Sequence, residues 1–281
     1  MGKPSDTLKF RLAAALVMIA WLASVQPGAA QAVGARMVDA ARRNAESLGQ
    51  APIAPFRRPE QGWAVYEPLI AHEVGAQSGA DTPAFAAHLA AWQSGHGLSP
   101  TGVVDVATIT ALRTAWQARR PFVAASQHAC PPPPPDASLV AVPAVDAYGG
   151  KAMRLRAAAL AAYERMAAVA RAEIGVSRRE TQLLTIFSAF RDPESDAARC
   201  VSDGNCQGVV RATCSSHRTG LAVDLYLGAA PGFPPDSSDD TNRLFISRGA
   251  AYLWMVANAS RFGFAPYPFE PWHWEWTGEP I

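Results

Sequence analysis

The 281-residue sequence predicts an α+β chain in two parts, a small all-α three-helix domain followed by a larger domain of packed helices and short strands. Three observations carry that prediction. Apolar residues recur at helical spacing between Trp63 and Gln117. Five consecutive prolines, Pro131 to Pro135, then impose an extended, semi-rigid spacer. Beyond them an Ala-rich helical stretch precedes short apolar and β-branched runs of strand character. With 49% hydrophobic and 17% charged residues the chain is too apolar for disorder, and its length gives each part a core. A formal charge of +1 leaves no polycationic footprint, which excludes nucleic acid as a partner.

Taken in order, residues 1–32 read as a secretory signal peptide. Lys3, Lys9 and Arg11 precede the apolar run from Leu12 to Val25, and small residues frame a cut after Ala30 or Ala32. The run falls short of the roughly 20 residues a membrane span needs, so no stable span is expected after cleavage. Because the segment also holds Asp6, its removal takes the net charge from +1 to −1. Residues 33–60 form a lead-in, a helix followed by a loosely ordered Pro-rich stretch. Residues 61–125 hold the helical domain. Its first helix covers Trp63 to Val74, and its second runs from Pro83 to Trp92, with Thr82 as N-cap. A glycine-rich turn from Gly95 to Asp105 leads into the third, capped by Asp105 and burying Ile109, Leu112 and Trp116. Residues 126–145 are the Pro-rich linker. In residues 146–281, a helix is expected from Ala152 to Ala172, and strands near Leu183 to Phe190, from Leu221, and after Phe262-Gly263-Phe264. No long-period repeat suggests a solenoid.

Export places Cys130, Cys200, Cys206 and Cys214 in an oxidising compartment, where an even count implies two disulfides in one of three pairings. Asp203-Gly204-Asn205 is a turn-forming tripeptide that would bring Cys200 to Cys206 and leave Cys130 for Cys214. The spacing does not itself choose among the pairings. A thiolate zinc site is disfavoured, because paired Cys-x-x-Cys spacing is missing.

Chemistry is concentrated in the last part. Of the six histidines only His217 and His273 lie there. Ser215-Ser216-His217-Arg218-Thr219-Gly220 precedes an apolar run that contains Asp224, a costly carboxylate unless paired or metal-bound. Strand alternation from Leu221 sends Leu221, Val223 and Leu225 one way and Asp224 the other, and Gly220 permits a turn folding His217 back toward it. Glu270 and His273 flank Pro271-Trp272. An extended, three-residue period at Pro271 would put both side chains on one side. Two His, one Asp and a Glu make the donor set of a mononuclear catalytic zinc: three ligands, an open position for water and a base beside it. Each residue taken alone has an ordinary structural explanation; their joint occurrence is what points to a site. Arg199, Arg211 and Arg218 read as surface or loop charges, and Asp236 to Asp240 as a solvated loop at a cleft rim.

Two resemblances follow from these motifs. Trp92-Gln93, Gly97-Leu98, Thr101-Gly102-Val103-Val104-Asp105 and Ala107-Thr108 resemble the small peptidoglycan-binding domains beside bacterial wall hydrolases, although capping and packing alone explain each residue. His96 in that turn reads as a solvated loop residue. Ser215-x-His217-x-x-Gly220-x-Ala222-x-Asp224 with Glu270-x-Trp272-His273 resembles the signature of zinc D-alanyl-D-alanine carboxypeptidases of the VanY kind, which related VanX dipeptidases and LdcB L,D-carboxypeptidases share. Ser188-Ala189-Phe190-Arg191 resembles that family's Ser-Gly-Tyr-Arg element, departing from it at Ala189 and Phe190.

The second resemblance spans about residues 150–278 and implies a Hedgehog/DD-peptidase-like domain whose antiparallel sheet carries the ligands. It implies one Zn2+ per chain on His217, Asp224 and His273, Glu270 as general base, and Arg191 as the cation steadying substrate and oxyanion. Ser215 is a candidate for substrate hydrogen bonding as well as a turn hydroxyl, and Trp272 is expected nearest the metal. The implied protein is a secreted carboxypeptidase of the periplasm or cell wall, acting on peptidoglycan stem peptides. The same site would serve an L,D-carboxypeptidase or a cross-link endopeptidase, and a degenerate domain would leave a non-catalytic wall-binding protein.

Overall fold

The computed structural model describes residues 27–177, 182–202, 206 and 214–281. The apolar signal run, Arg211 and the Asp203-Gly204-Asn205 turn lie outside the described residues. Helix α1 (Pro27–Ser47) runs through both expected cut positions. Its far end is anchored: the buried amide of Asn44 donates to Gly102 O at 2.9 Å and accepts from Val104 N–H at 2.9 Å. Strands β1 (Pro52–Ile53) and β2 (Glu60–Gln61) then form a short antiparallel ladder.

The three expected helices follow as α2 (Glu67–Val74), which begins after a turn and not at the expected Trp63, α3 (Pro83–Gly95) and α4 (Val106–Ala118). The latter two use the expected caps, Thr82 Oγ1 accepting from Phe85 N–H at 3.1 Å and Asp105 Oδ1 from Thr108 N–H at 2.8 Å. The turn between α3 and α4 is organised around Gln93, only 1% exposed. Its amide donates to Val103 O at 2.9 Å and Thr108 Oγ1 at 2.8 Å, and accepts from Gly102 N–H at 2.8 Å. Gly102 has φ 70° and its α-carbon faces Ala86 O so closely that a Cβ would lie 2.6 Å away, so only glycine fits. The Gln, Thr-Gly and Thr positions of the motif are thus bonded to one another. His96 is exposed and stacks on Trp92 at 3.9 Å.

After the short helix α5 (Pro121–Ala125), β3 (Leu139–Ala141) pairs antiparallel with β4 (Arg154–Arg156). That pairing holds Arg154–Arg156 extended, so helix α6 (Ala157–Ile174) starts after the expected Ala152. It buries Leu160, Tyr163 and Met166. Next come β5 (Ile186–Ser188), α7 (Pro193–Ser202), β6 (Ala222–Leu225), α8 (Asp240–Ser247), α9 (Ala250–Asn258), β7 (Phe264–Pro266) and β8 (His273–Trp276). Among the described residues the main sheet has the order β5-β6-β8-β7, every neighbouring pair antiparallel. The chain is therefore α+β with small antiparallel sheets.

The helical part does not stand apart from the rest. Trp63, Tyr66, Leu112 and Trp116 belong to the same buried cluster as Met166, Leu225, Phe269 and Trp274. Arg243 of α8 is fully buried and donates from Nη1 to Glu60 Oε2 at 2.5 Å, from Nη2 to Tyr66 Oη at 2.8 Å and from Nε to Phe269 O at 2.8 Å. Pro131 and Pro134 are buried as well, so the proline run lies against the protein. Of the three possible pairings the disulfides are Cys130–Cys214 and Cys200–Cys206. Among the described residues no helix is long and apolar enough to cross a membrane. The two disulfides are compatible with a secreted protein.

Candidate metal centre

Strands β6 and β8 pair with Asp224 directly opposite His273. Alternation sends Val223, Leu225 and Trp274 into the core and leaves Asp224, His273 and Glu275 on the other face. The 3-10 turn Ser216–Thr219 ends at Gly220, whose φ of 69° lies in the left-handed region. A Cβ there would meet Leu139 Cδ2 at 3.0 Å and Arg156 Cγ at 3.1 Å. The resulting tight reversal carries His217 over β6, where its Nε2 lies 3.1 Å from Asp224 Oδ2. His273 Nδ1 lies 2.8 Å from Asp224 Oδ1. The two imidazoles meet edge to face with centroids 4.9 Å apart. All three residues are buried, and they offer ligand atoms within 4.8 Å of one another.

The outward nitrogen of each ring is tied down. His217 Nδ1–H donates to Ala189 O at 2.8 Å. His273 Nε2 faces Ser216 Oγ at 3.0 Å and Glu275 Oε1 at 3.4 Å. Glu275 accepts from Arg120 Nε at 2.9 Å and Nη2 at 2.5 Å, and from Phe122 N–H at 3.2 Å. A ring that turns one nitrogen inward and has the other held by a carbonyl or carboxylate is arranged as metal-binding histidines are.

Burial and the neighbouring charges set the two rings apart. Burial pulls His217 down to about 4, so it is neutral and ready to ligate. Burial also opposes charge on His273, but hydrogen bonds to Asp224 and Glu275 outweigh it and lift the ring to about 9. Burial likewise works against ionised Asp224, yet the two imidazoles hold its carboxyl well below the usual range. Glu275 sits at about 2: Arg120 and His273 overcome the cost of burying it. Two imidazoles and one carboxylate, with outer hydrogen bonds in place, form a donor set that could hold a metal ion.

The cluster opens into a cleft of about 170 Å3 lined by Arg191, Ser215, Glu270 and Trp272 among others. Glu270 and His273 share it for a different reason from the expected extended period. His273 N–H donates to Glu270 O at 2.9 Å, closing a β-turn with Pro271 in its second position. Arg191 is fixed by three bonds, Nε to Asp196 Oδ1 at 2.9 Å, Nη1 to Ser188 Oγ at 2.9 Å and Nη2 to Ser215 Oγ at 3.0 Å. Ser215 Oγ also caps the turn that carries His217 by accepting from His217 N–H at 3.2 Å. Its hydroxyl is therefore engaged with the turn and Arg191. Trp272 forms cleft wall, whereas Trp274 is buried in the core and donates to Pro271 O at 3.1 Å. Asp236 lies on the rim.

Arg218 differs from the surface reading. It is 9% exposed, with Nε 3.7 Å from Asp196 Oδ2, because the turn that delivers His217 points its neighbour inward. Arg199 keeps a half-exposed side chain 4.0 Å from Asp236. Arg120, Phe122, Ser216, Tyr267 and Glu275 belong to the site and were not among the residues picked out by sequence. Glu275 had a usable signal, since it stands two positions from His273 on a strand and must share its face. Arg120 had none, being 155 residues away from Glu275. No protein-family model matches the chain, and no curated protein matches it.

Proposed function

We propose that the chain is an exported zinc metallopeptidase of the Hedgehog/DD-peptidase-like fold that removes the terminal D-alanine from peptidoglycan stem peptides. One observation carries this reading. His217, Asp224, His273, Glu270 and Arg191, from segments separated in sequence, all reach one small polar cleft. Zinc bound by His217, Asp224 and His273 would supply a Lewis acid and a water acidified to near neutrality. Glu270, which lines the same cleft, would be the group to accept a proton from such a water and return it to the departing amine. Arg191 arrives preorganised by Asp196, Ser188 and Ser215, so its guanidinium can orient a chain-terminal carboxylate or steady an oxyanion without first being ordered. The cleft volume of about 170 Å3 suits the end of a peptide rather than a broad surface.

The test is to incubate the zinc-loaded protein with tetrapeptide, pentapeptide and cross-linked muropeptides and weigh the products. Chelator-sensitive loss of one D-alanine from the pentapeptide is expected. Cleavage confined to tetrapeptide or cross-links would reassign the bond, and no zinc-dependent hydrolysis of any of them would reject the activity.

A further inference from the structure

The ring of His273 is gripped from outside the last part of the chain. Arg120, at the junction of α4 and α5, is 7% exposed and lies 2.5 Å from Glu275 Oε1 through Nη2. Its Nε donates to the same oxygen at 2.9 Å, and its Nη1 donates to Gln117 Oε1 at 2.8 Å, so all three guanidinium nitrogens are engaged. The next backbone donor of that segment, Phe122 N–H, takes Glu275 Oε2 at 3.2 Å. Both carboxylate oxygens of Glu275 are therefore positioned by the helical part, while Oε1 faces His273 Nε2 at 3.4 Å. A second route ends on the same ring. The Arg120 guanidinium lies 4.1 Å over the Tyr267 ring, and Tyr267 meets His273 edge to face at 5.9 Å.

We propose that Arg120 is a positioning residue of the metal centre, through which the helical part sets the orientation of His273 by way of Glu275. This rests on the reading of His217, Asp224 and His273 as a metal site. It assigns the helical part a role that wall attachment alone would not require. A carboxylate hydrogen-bonded to a ligating imidazole fixes the ring and raises its basicity, and losing such a partner costs about 10–100-fold in metal affinity. A carboxylate free to swing would lose most of that effect, and the Arg120 fork prevents the swing.

The test measures zinc affinity and the visible spectrum of the cobalt-substituted protein, in the full chain, for Glu275→Gln, Arg120→Met, Arg120→Lys and the double variant Arg120→Met/Glu275→Gln. Glu275→Gln keeps the side chain's volume and is the variant least disturbing to folding. It should weaken zinc by about 10–100-fold, and Arg120→Met should weaken it by about 10-fold, with a changed cobalt spectrum in both. Arg120→Lys, which keeps charge but not the fork, should fall between Arg120→Met and the parent. The double variant should lose no more than Glu275→Gln alone. A fall in melting temperature with parental zinc affinity and spectrum would reduce Arg120 to a structural residue and overturn the proposal. Multiplying losses in the double variant would overturn the route through Glu275. If the parent chain itself bound no zinc, the metal reading would fail instead, which is a different result.

Discussion

Asp224 gives one oxygen to each of two imidazoles, at 3.1 and 2.8 Å, and this bridging geometry makes it the pivot of the site. Removing either ring leaves a buried carboxylate short of a partner, and the donor set with two protein ligands. His217→Ala should therefore lose stoichiometric zinc while remaining folded, as read by metal content and far-UV circular dichroism; undiminished zinc would reject His217 as a ligand. Glu270 lies in the cleft outside the His217, Asp224 and His273 cluster. Glu270→Gln should keep zinc and lose turnover by at least about 100-fold, the lower range for general acid–base assistance. Retained activity would remove Glu270 from the mechanism. At this scale much of the site was legible, because a strand period of two and a glycine turn are local rules. The turn at Pro271 was read with the right outcome for a different reason, since the chain closes an i to i+3 hydrogen bond there instead of staying extended.

Single elements depend on a few exacting positions. Gly220 ends the ligand turn with φ 69° and has Leu139 and Arg156 against its α-carbon. Gly220→Ala adds both left-handed strain and a contact at 3.0 Å, and should cost about 1–2 kcal/mol. Because the same turn aims His217, zinc affinity should fall along with melting temperature. A loss of stability with unchanged affinity would show that the turn's path is set elsewhere. Helices α2 and α4 are joined by the paired hydrogen bonds of Arg119 to Glu73, both at 2.6 Å. Burial works to raise the Glu73 carboxyl, but Arg119 prevails and holds it below its ordinary 4.5. A lowered carboxylate contributes stability that is present above the unfolded value and lost as pH falls through the folded one. Arg119→Met should thus destabilise by about 0.5 kcal/mol at pH 7, the scale of a pair whose arginine stays in solvent. The deficit should vanish in acid below that window, and denaturant melts at pH 7 and pH 3 would read the difference. The caps at Thr82 and Asp105 were legible in the sequence because capping is written within three residues. The late start of α6 was not, because β4 is held extended by a partner strand that no helical propensity announces.

For the molecule as a whole, the decisive feature is the core that runs from Trp63 and Trp116 into Leu225 and Trp274. Two parts joined only through a proline spacer would melt separately. Parts that share a core and the Arg243, Glu60 and Tyr66 network should melt together, so calorimetry should show one transition. Arg243→Met strands Glu60, which is 5% exposed, and should lower stability by about 3–5 kcal/mol. Two resolved transitions in the parent protein would refute the coupling. The Cys130–Cys214 bond adds a covalent tie between the proline segment and the residue preceding Ser215.

The sequence by itself determined helices α2 to α4 with the caps of α3 and α4, the two faces of β6 and the small set of chemically unusual residues in the last part. These follow from short-range rules with a fixed period or a fixed cap distance. Only the tertiary structure decided that Glu60 meets Arg243 across 183 positions and Arg120 meets Glu275 across 155. Such pairs have no period to read. They form where two apolar surfaces collapse together and the charges caught between them must find partners to offset their desolvation.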